Sequence, residues 1–158
     1  MPGYKTHVGF AVCIYALWLI VVSLLCGSFS LSVVKGIEWF LCIIIGSLFP
    51  DVDIKSKGQV IFYEIMVGIL VLLWWRQELI AFTWLTFVAL IPVLVHHRGL
   101  FHNILFLMCM PLLAALFFGH YYPSYATLLC VDAGFFSLGA VSHCILDRFV
   151  SKVKKKRY

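Results

Sequence analysis

Imidazole and carboxylate side chains dominate four short polar clusters in an otherwise apolar chain. The clusters occupy residues 6–7, 50–53, 96–102 and 142–147. Nitrogen and oxygen donors of this kind suit zinc or manganese, and carboxylates also suit magnesium. Two apolar stretches separate each cluster from the next, so an even number of membrane crossings returns the chain to the same side. We therefore expect all four clusters to meet at one membrane face as a metal centre.

Two of the clusters contain acids. His143 and Asp147 are four residues apart, so both point to one face of a predicted helix. Asp51 and Asp53 follow Pro50, which discourages helical angles at the residue before it and predicts a helix end there. Two neighbouring carboxylates repel each other unless a cation or a proton lies between them. Both pairs fit a metal site, although a solvated turn or a helix-end hydrogen bond would also use these residues.

The third cluster is rich in histidine. His97 and His102 are five residues apart and do not align on a regular helix, but Gly99 permits a turn that brings them together. The spacing leaves open whether His96 or His97 is the ligand. Arg98 has the forked guanidinium that suits bidentate contact with phosphate oxygens.

Two further residues lie on the cluster side. His7 precedes the first apolar segment and completes the predicted ligand set. Glu64 lies about one turn inside the third segment, and ionisable groups within a membrane are functional candidates by default. We expect Glu64 to act as a general base or as an additional ligand.

Composition places these clusters in a membrane. The chain is 63% hydrophobic and 12% charged, with a mean hydropathy of +1.03, which a soluble domain of 158 residues could not hide. We predict an all-α, polytopic helical bundle that forms a single domain over residues 1–158, with a basic tail from about residue 148. The net charge of +5 comes largely from this tail. Since no aromatic residues interleave with the basic ones, we expect membrane lipid and not nucleic acid as the partner.

Six apolar segments are predicted. They cover residues 8–25, 31–49, 60–75, 79–95, 104–118 and 125–146. The third and fifth are short for a crossing, so they either extend through flanking aromatic residues or form a re-entrant hairpin. Ten of the twelve basic residues fall on the cluster side. The positive-inside rule therefore predicts that both termini and the metal centre face the cytoplasm.

The motif order resembles the YdjM-like family of membrane-bound metal-dependent hydrolases. The likeness extends from His7, through Pro50-Asp51-Val52-Asp53 and His97-Arg98-Gly99-Leu100-Phe101-His102, to Ser142-His143-Cys144-Ile145-Leu146-Asp147. Family members commonly have serine after the second histidine of the third motif, where this chain has Asn103. A more distant similarity is to zinc-dependent phospholipase C. The resemblance implies a helical protein of a bacterial or archaeal inner membrane, assigned as a hydrolase.

Together these observations predict a hydrolase of phosphate esters such as lipid phosphates. Divalent ions, zinc before manganese or magnesium, would be held by seven residues: His7, Asp51, Asp53, His97, His102, His143 and Asp147. Arg98 would bind the phosphate, and Glu64 or an aspartate would accept a proton. A divalent-ion or small-solute transporter and a noncatalytic protein with a structural metal site are the alternatives. Transport sites usually lie near the bilayer midplane, whereas these ligands lie near one edge. The substrate, the number of ions and the oligomeric state are not determined by the sequence.

Overall fold

Six α-helices form a bundle. The computed structural model describes residues 3–26, 32–52, 57–94 and 101–155. The helices are α1 (Tyr4–Cys26), α2 (Val33–Leu48), α3 (Lys57–Trp75), α4 (Leu79–Leu94), α5 (Ile104–Tyr121) and α6 (Ala126–Lys155). A 3-10 turn, Phe49–Asp51, follows α2, and a second, Pro123–Tyr125, precedes α6. The predicted all-α class is confirmed, and α2 ends before Pro50 as expected, but Phe49 keeps helical angles (φ −57°, ψ −41°) and begins the 3-10 turn.

Within the described ranges, five segments are long and apolar enough to cross a membrane. They are Tyr4–Leu25, Val33–Asp51, Lys57–Trp75, Ile104–Tyr121 and Pro123–Val150. Only 11% of the first segment's apolar window is buried inside the protein, so most of its apolar surface faces outward. An outward-facing apolar surface of this extent requires lipid around it. The fold is therefore that of a membrane-spanning helical bundle.

The lengths of two segments differ from the sequence prediction. The third and fifth were expected to be short, yet α3 has 19 residues and α5 has 18. Both helices continue through polar or small residues that an apolar count leaves out, including Gln59 on α3 and His120 on α5. The described part of α4 has 16 residues and ends at Leu94, where the described range also ends.

The helix α6 organises the bundle. It packs against α2, α5 and α1, while α3 packs against α4 and the first 3-10 turn. The closest approach is between α2 and α6, at two glycines. A Cβ atom on Gly46 would lie 2.0 Å from the carbonyl oxygen of Phe136, and one on Gly139 would lie 2.1 Å from that of Ile43. Only glycine fits at these positions, and the two backbones are therefore in direct contact.

An aromatic cluster supports the 3-10 turn that carries Asp51. The ring of Phe49 lies 5.4 Å from the ring of Phe101 and 5.8 Å from that of Phe62. All three side chains are almost fully buried. Because Phe62 belongs to α3 and Phe101 directly precedes His102, this packing holds the turn close to the segment before α5.

Candidate metal centre

Five of the predicted ligand residues lie together at one end of the bundle. His7 comes from the first turns of α1, and Asp51 ends the 3-10 turn after α2. His102 lies just before α5, and His143 and Asp147 lie one turn apart on α6. Residues that are far apart in sequence thus meet through the packing of α1, α2 and α5 around α6.

Nitrogen and oxygen donors face each other across the cluster. His143 Nε2 lies 3.5 Å from Asp51 Oδ1 and 3.6 Å from Asp147 Oδ2. His102 Nε2 lies 3.9 Å and 3.8 Å from the same two carboxylates. His7 Nε2 lies 3.6 Å from Asp147 Oδ1. These distances are too long for good hydrogen bonds. They are close to the spacing of about 3.3–3.6 Å between ligand atoms that share a tetrahedral ion at bond lengths of about 2.0–2.2 Å.

The orientation of His143 is set by the backbone of α2. Its Nδ1 lies 2.8 Å from the carbonyl oxygen of Ser47, a distance at which Nδ1–H donates a hydrogen bond. When the ring is neutral, this hydrogen bond leaves Nε2 without a proton and directed at the carboxylates. Metal-binding histidines commonly show this arrangement, in which the second ring nitrogen donates to a carbonyl or carboxylate.

The cluster has a closed side and an open side. The rings of His7 and His143 are stacked, with centroids 3.7 Å apart and planes 10° from parallel, and both side chains are 1% exposed. The side chains of Asp51, His102 and Asp147 are 20%, 27% and 16% exposed. Solvent or a substrate would therefore approach from the side of these three residues.

Several donor atoms of the cluster fit a bound cation. Within the described part of the chain, His143 Nε2, both ring nitrogens of His102 and Asp147 Oδ1 are buried without a hydrogen-bond partner. Leaving buried polar atoms in this state costs free energy. A divalent ion among them would satisfy His143 Nε2, His102 Nε2 and Asp147 Oδ1, and the donor set of imidazoles and carboxylates is one that zinc or manganese accepts.

Two overlapping triads could hold such an ion. One consists of His7, His143 and Asp147, and the other of Asp51, His102 and His143. His143 belongs to both, but only its Nε2 is available because Nδ1 bonds to Ser47. Since one imidazole nitrogen binds one ion, the triads cannot be two independent sites that both use His143. They are two parts of one centre.

Four predicted residues lie outside the described part of the chain: Asp53, His96, His97 and Arg98. Their predicted roles stay predictions. Glu64 is exposed on α3 and belongs to neither triad. Its neighbour Phe62 faces the core, and a step of two residues along a helix points Glu64 to the outer side. Its predicted role as a base also stays a prediction.

Sequence reasoning missed the contribution of the α2 backbone. The carbonyl group of Ser47 orients His143, and it can approach the ring because Gly46 and Gly139 allow α2 and α6 to touch. In the sequence, these glycines cannot be distinguished from Gly68 and Gly134, where a Cβ atom would meet nothing within 4 Å. The run Gly46-Ser47, directly before the Pro-Asp motif, was the available signal.

Comparison with known proteins places the chain in a family. The model of the YdjM inner membrane protein family matches residues 1–152. The chain belongs to this family. The match covers every residue of both triads, so the centre lies within the part that defines family membership. The protein is accordingly a helical membrane protein of an inner membrane family. No curated protein and no solved structure matches the chain.

Proposed function

We propose that this YdjM family protein is a membrane-embedded, metal-dependent hydrolase of phosphate esters. The observation that carries the proposal is the spacing at the centre. Three imidazole groups face two carboxylates at N···O distances of 3.5–3.9 Å, and one imidazole is oriented by a backbone carbonyl group. Groups held only by hydrogen bonds would be closer together.

The described ligands would hold either one divalent ion or two divalent ions that share Asp147 as a ligand. The two oxygens of Asp147 face different histidines: Oδ1 faces His7, and Oδ2 faces His102 and His143. A carboxylate in this position could bridge two ions, as two-metal hydrolases require. Asp53 and His97 are the further ligands that we propose from the sequence.

The site would carry out hydrolysis at its open side. A bound divalent ion would lower the pKa of a water molecule and polarise the ester. Asp51, which is partly exposed, is placed to orient the water and accept its proton. We propose that Arg98 contacts the phosphate and stabilises developing charge, and that Glu64 is a second candidate for the base.

Lipid phosphates are the proposed substrates, because the centre lies at one end of the spanning helices, near the headgroups. The excess of basic residues on this side suggests that it faces the cytoplasm, together with both termini. From the family's inner membrane description we propose a bacterial or archaeal cytoplasmic membrane.

Metal analysis of the purified protein is the first test. We expect divalent metal that survives dialysis in the wild type and is lost in His143→Ala. The matched control is His120→Ala, since His120 is exposed on α5 and belongs to neither triad. Equal metal content in His143→Ala and the wild type would refute the centre.

Activity separates the hydrolase from its alternatives. Detergent-solubilised protein would be assayed against a panel of lipid and soluble phosphate esters, with and without chelator. Chelator-sensitive phosphate release that is absent in His143→Ala supports the proposal. Metal binding without release of phosphate from any ester would favour a structural metal site, and uptake of divalent ions by proteoliposomes would favour a transporter.

A further inference from the structure

An apolar groove of about 450 Å³ runs along the outward face of α6, between α1 and α5. Trp18 of α1 and Leu112 of α5 form its walls. Its floor consists of α6 residues spaced three or four apart: Val131, Gly134, Leu138 and Val141. Both Gly134 and Leu138 are exposed, so the groove opens to the outside of the bundle.

The groove has free space beside Gly134 in its floor. A Cβ atom on Gly134 would meet nothing within 4 Å, in contrast with Gly139 five residues later. Because the groove lies within a membrane-spanning segment, its surroundings are hydrocarbon and not water. Its natural occupant is therefore a flexible apolar chain.

The same face of α6 ends in a cation. Gly134, Leu138, Val141, Ile145 and Arg148 follow one another at steps of four, three, four and three residues, which places them on one helix face. Ile145 and Arg148 are exposed, like the floor of the groove. The Cα–Cβ bonds of a helix tilt towards its N-terminus, so the Arg148 side chain leaves the backbone on the side of the groove.

The groove is about as long as the hydrocarbon of one leaflet is thick. From Val131 to Val141 the helix rises about 15 Å, at about 1.5 Å per residue. This is half of the roughly 30 Å hydrocarbon thickness. Arg148 lies about 10 Å further along, near the level of the phosphates.

We propose that the groove binds one acyl chain of an anionic phospholipid whose headgroup phosphate contacts Arg148. The apolar floor takes the chain, and the guanidinium group selects the negative charge. The site is separate from the candidate metal centre, since His143 lies about half a turn around α6 from Val141. The inference does not depend on hydrolysis.

Quenching of Trp18 fluorescence by brominated lipid tests the proposal. The other four tryptophans, Trp39, Trp74, Trp75 and Trp84, would be changed to phenylalanine. The protein would be reconstituted in phosphatidylcholine vesicles with a fixed fraction of brominated chains, carried either by phosphatidylglycerol or by phosphatidylcholine. We expect the brominated anionic lipid to associate about fivefold more strongly, the preference that one basic side chain provides near a membrane surface.

Three variants separate this site from general lipid contact. Gly134→Leu would fill the groove and remove the preference for the anionic lipid. Gly68→Leu is the matched control, because Gly68 is exposed on α3, has equally open surroundings and lies outside the groove, so the preference should persist. Arg148→Gln should make the two lipids quench equally.

Other outcomes overturn the inference. Equal quenching by both lipids in the parent protein would mean ordinary boundary lipid. If the preference for the anionic lipid persists in both Gly134→Leu and Arg148→Gln, it comes from the basic tail and not from the groove. Absence of quenching by either lipid, together with cross-linked dimers, would mean that a second copy of the chain covers the groove.

Discussion

Gly139→Ala should weaken metal binding without touching a ligand. The added Cβ atom would lie 2.1 Å from the carbonyl oxygen of Ile43 and 2.8 Å from the amide nitrogen of Ser47. Ordinary non-bonded contacts need about 3.5 Å, so α2 and α6 must separate by about 1 Å at this point. The Ser47 carbonyl group would move with α2, while His143 would stay with α6.

The expected loss follows from the hydrogen bond of His143. A separation of about 1 Å takes the 2.8 Å contact between His143 Nδ1 and the Ser47 carbonyl oxygen beyond hydrogen-bond range. Loss of such an outer contact typically weakens metal binding about 10- to 100-fold. This corresponds to about 1.4–2.8 kcal/mol.

Zinc affinity would be measured in detergent by competition with a chromophoric chelator. Far-UV circular dichroism would confirm that each variant retains its helices. Gly46→Ala, on the opposite helix at the same contact, should give a similar loss, since its Cβ atom would lie 2.0 Å from the Phe136 carbonyl oxygen. Gly134→Ala is the matched control and should bind zinc like the wild type, because its Cβ atom meets nothing within 4 Å.

Wild-type zinc affinity in a folded Gly139→Ala variant would refute this reasoning. The same conclusion would follow if Gly134→Ala lost as much affinity as Gly139→Ala. Either result would mean that the contact between α2 and α6 does not position His143.

Three further outcomes follow from the structure. Asp147→Asn should lower zinc affinity at least about tenfold, or about 1.4 kcal/mol, because Asp147 faces all three described histidines of the centre. Wild-type affinity in the same chelator titration would contradict this prediction. Phe49→Ala should destabilise the protein by about 3 kcal/mol or more, since its ring packs against Phe62 and Phe101; titration with denaturing detergent measures the loss, and Leu24→Ala is the control, because Leu24 is 77% exposed. The basic tail predicts a cytoplasmic C-terminus. A green fluorescent protein fused after Tyr158 should therefore fluoresce, and alkaline phosphatase fused at the same point should be inactive. The reverse pattern would place the tail on the other side of the membrane.

Most of the helical architecture could be predicted from local sequence. Apolar runs of membrane length mark the spans, because lipid demands apolar side chains and internally bonded backbone. Pro50 marked the end of α2, where the chain changes to a 3-10 turn, although Phe49 before it keeps helical angles. Helix lengths were less accessible, because α3 and α5 continue through polar and small residues that hydropathy does not count as spanning.

The prediction that the polar clusters meet at one membrane face came from counting membrane crossings in the sequence. Two spans between consecutive clusters place His7, Asp51, His102 and His143 on one side, whatever the details of packing. The argument supplies a side of the membrane and no distances. It could not distinguish Asp147, whose carboxylate faces three imidazoles, from Glu64, which lies on the outer side of α3.

The amino-acid sequence alone thus predicted candidate ligands and indicated that they collect at one end of the helices, because hydropathy and crossing number are properties of the chain. The tertiary structure decided how each helix is rotated about its axis and how closely neighbouring helices approach each other. Gly46 and Gly139 look like Gly68 and Gly134 in sequence, but only the first pair lies where two backbones touch. The Ser47 carbonyl group has no side-chain signature, and its hydrogen bond to His143 exists only because packing brings α2 against α6.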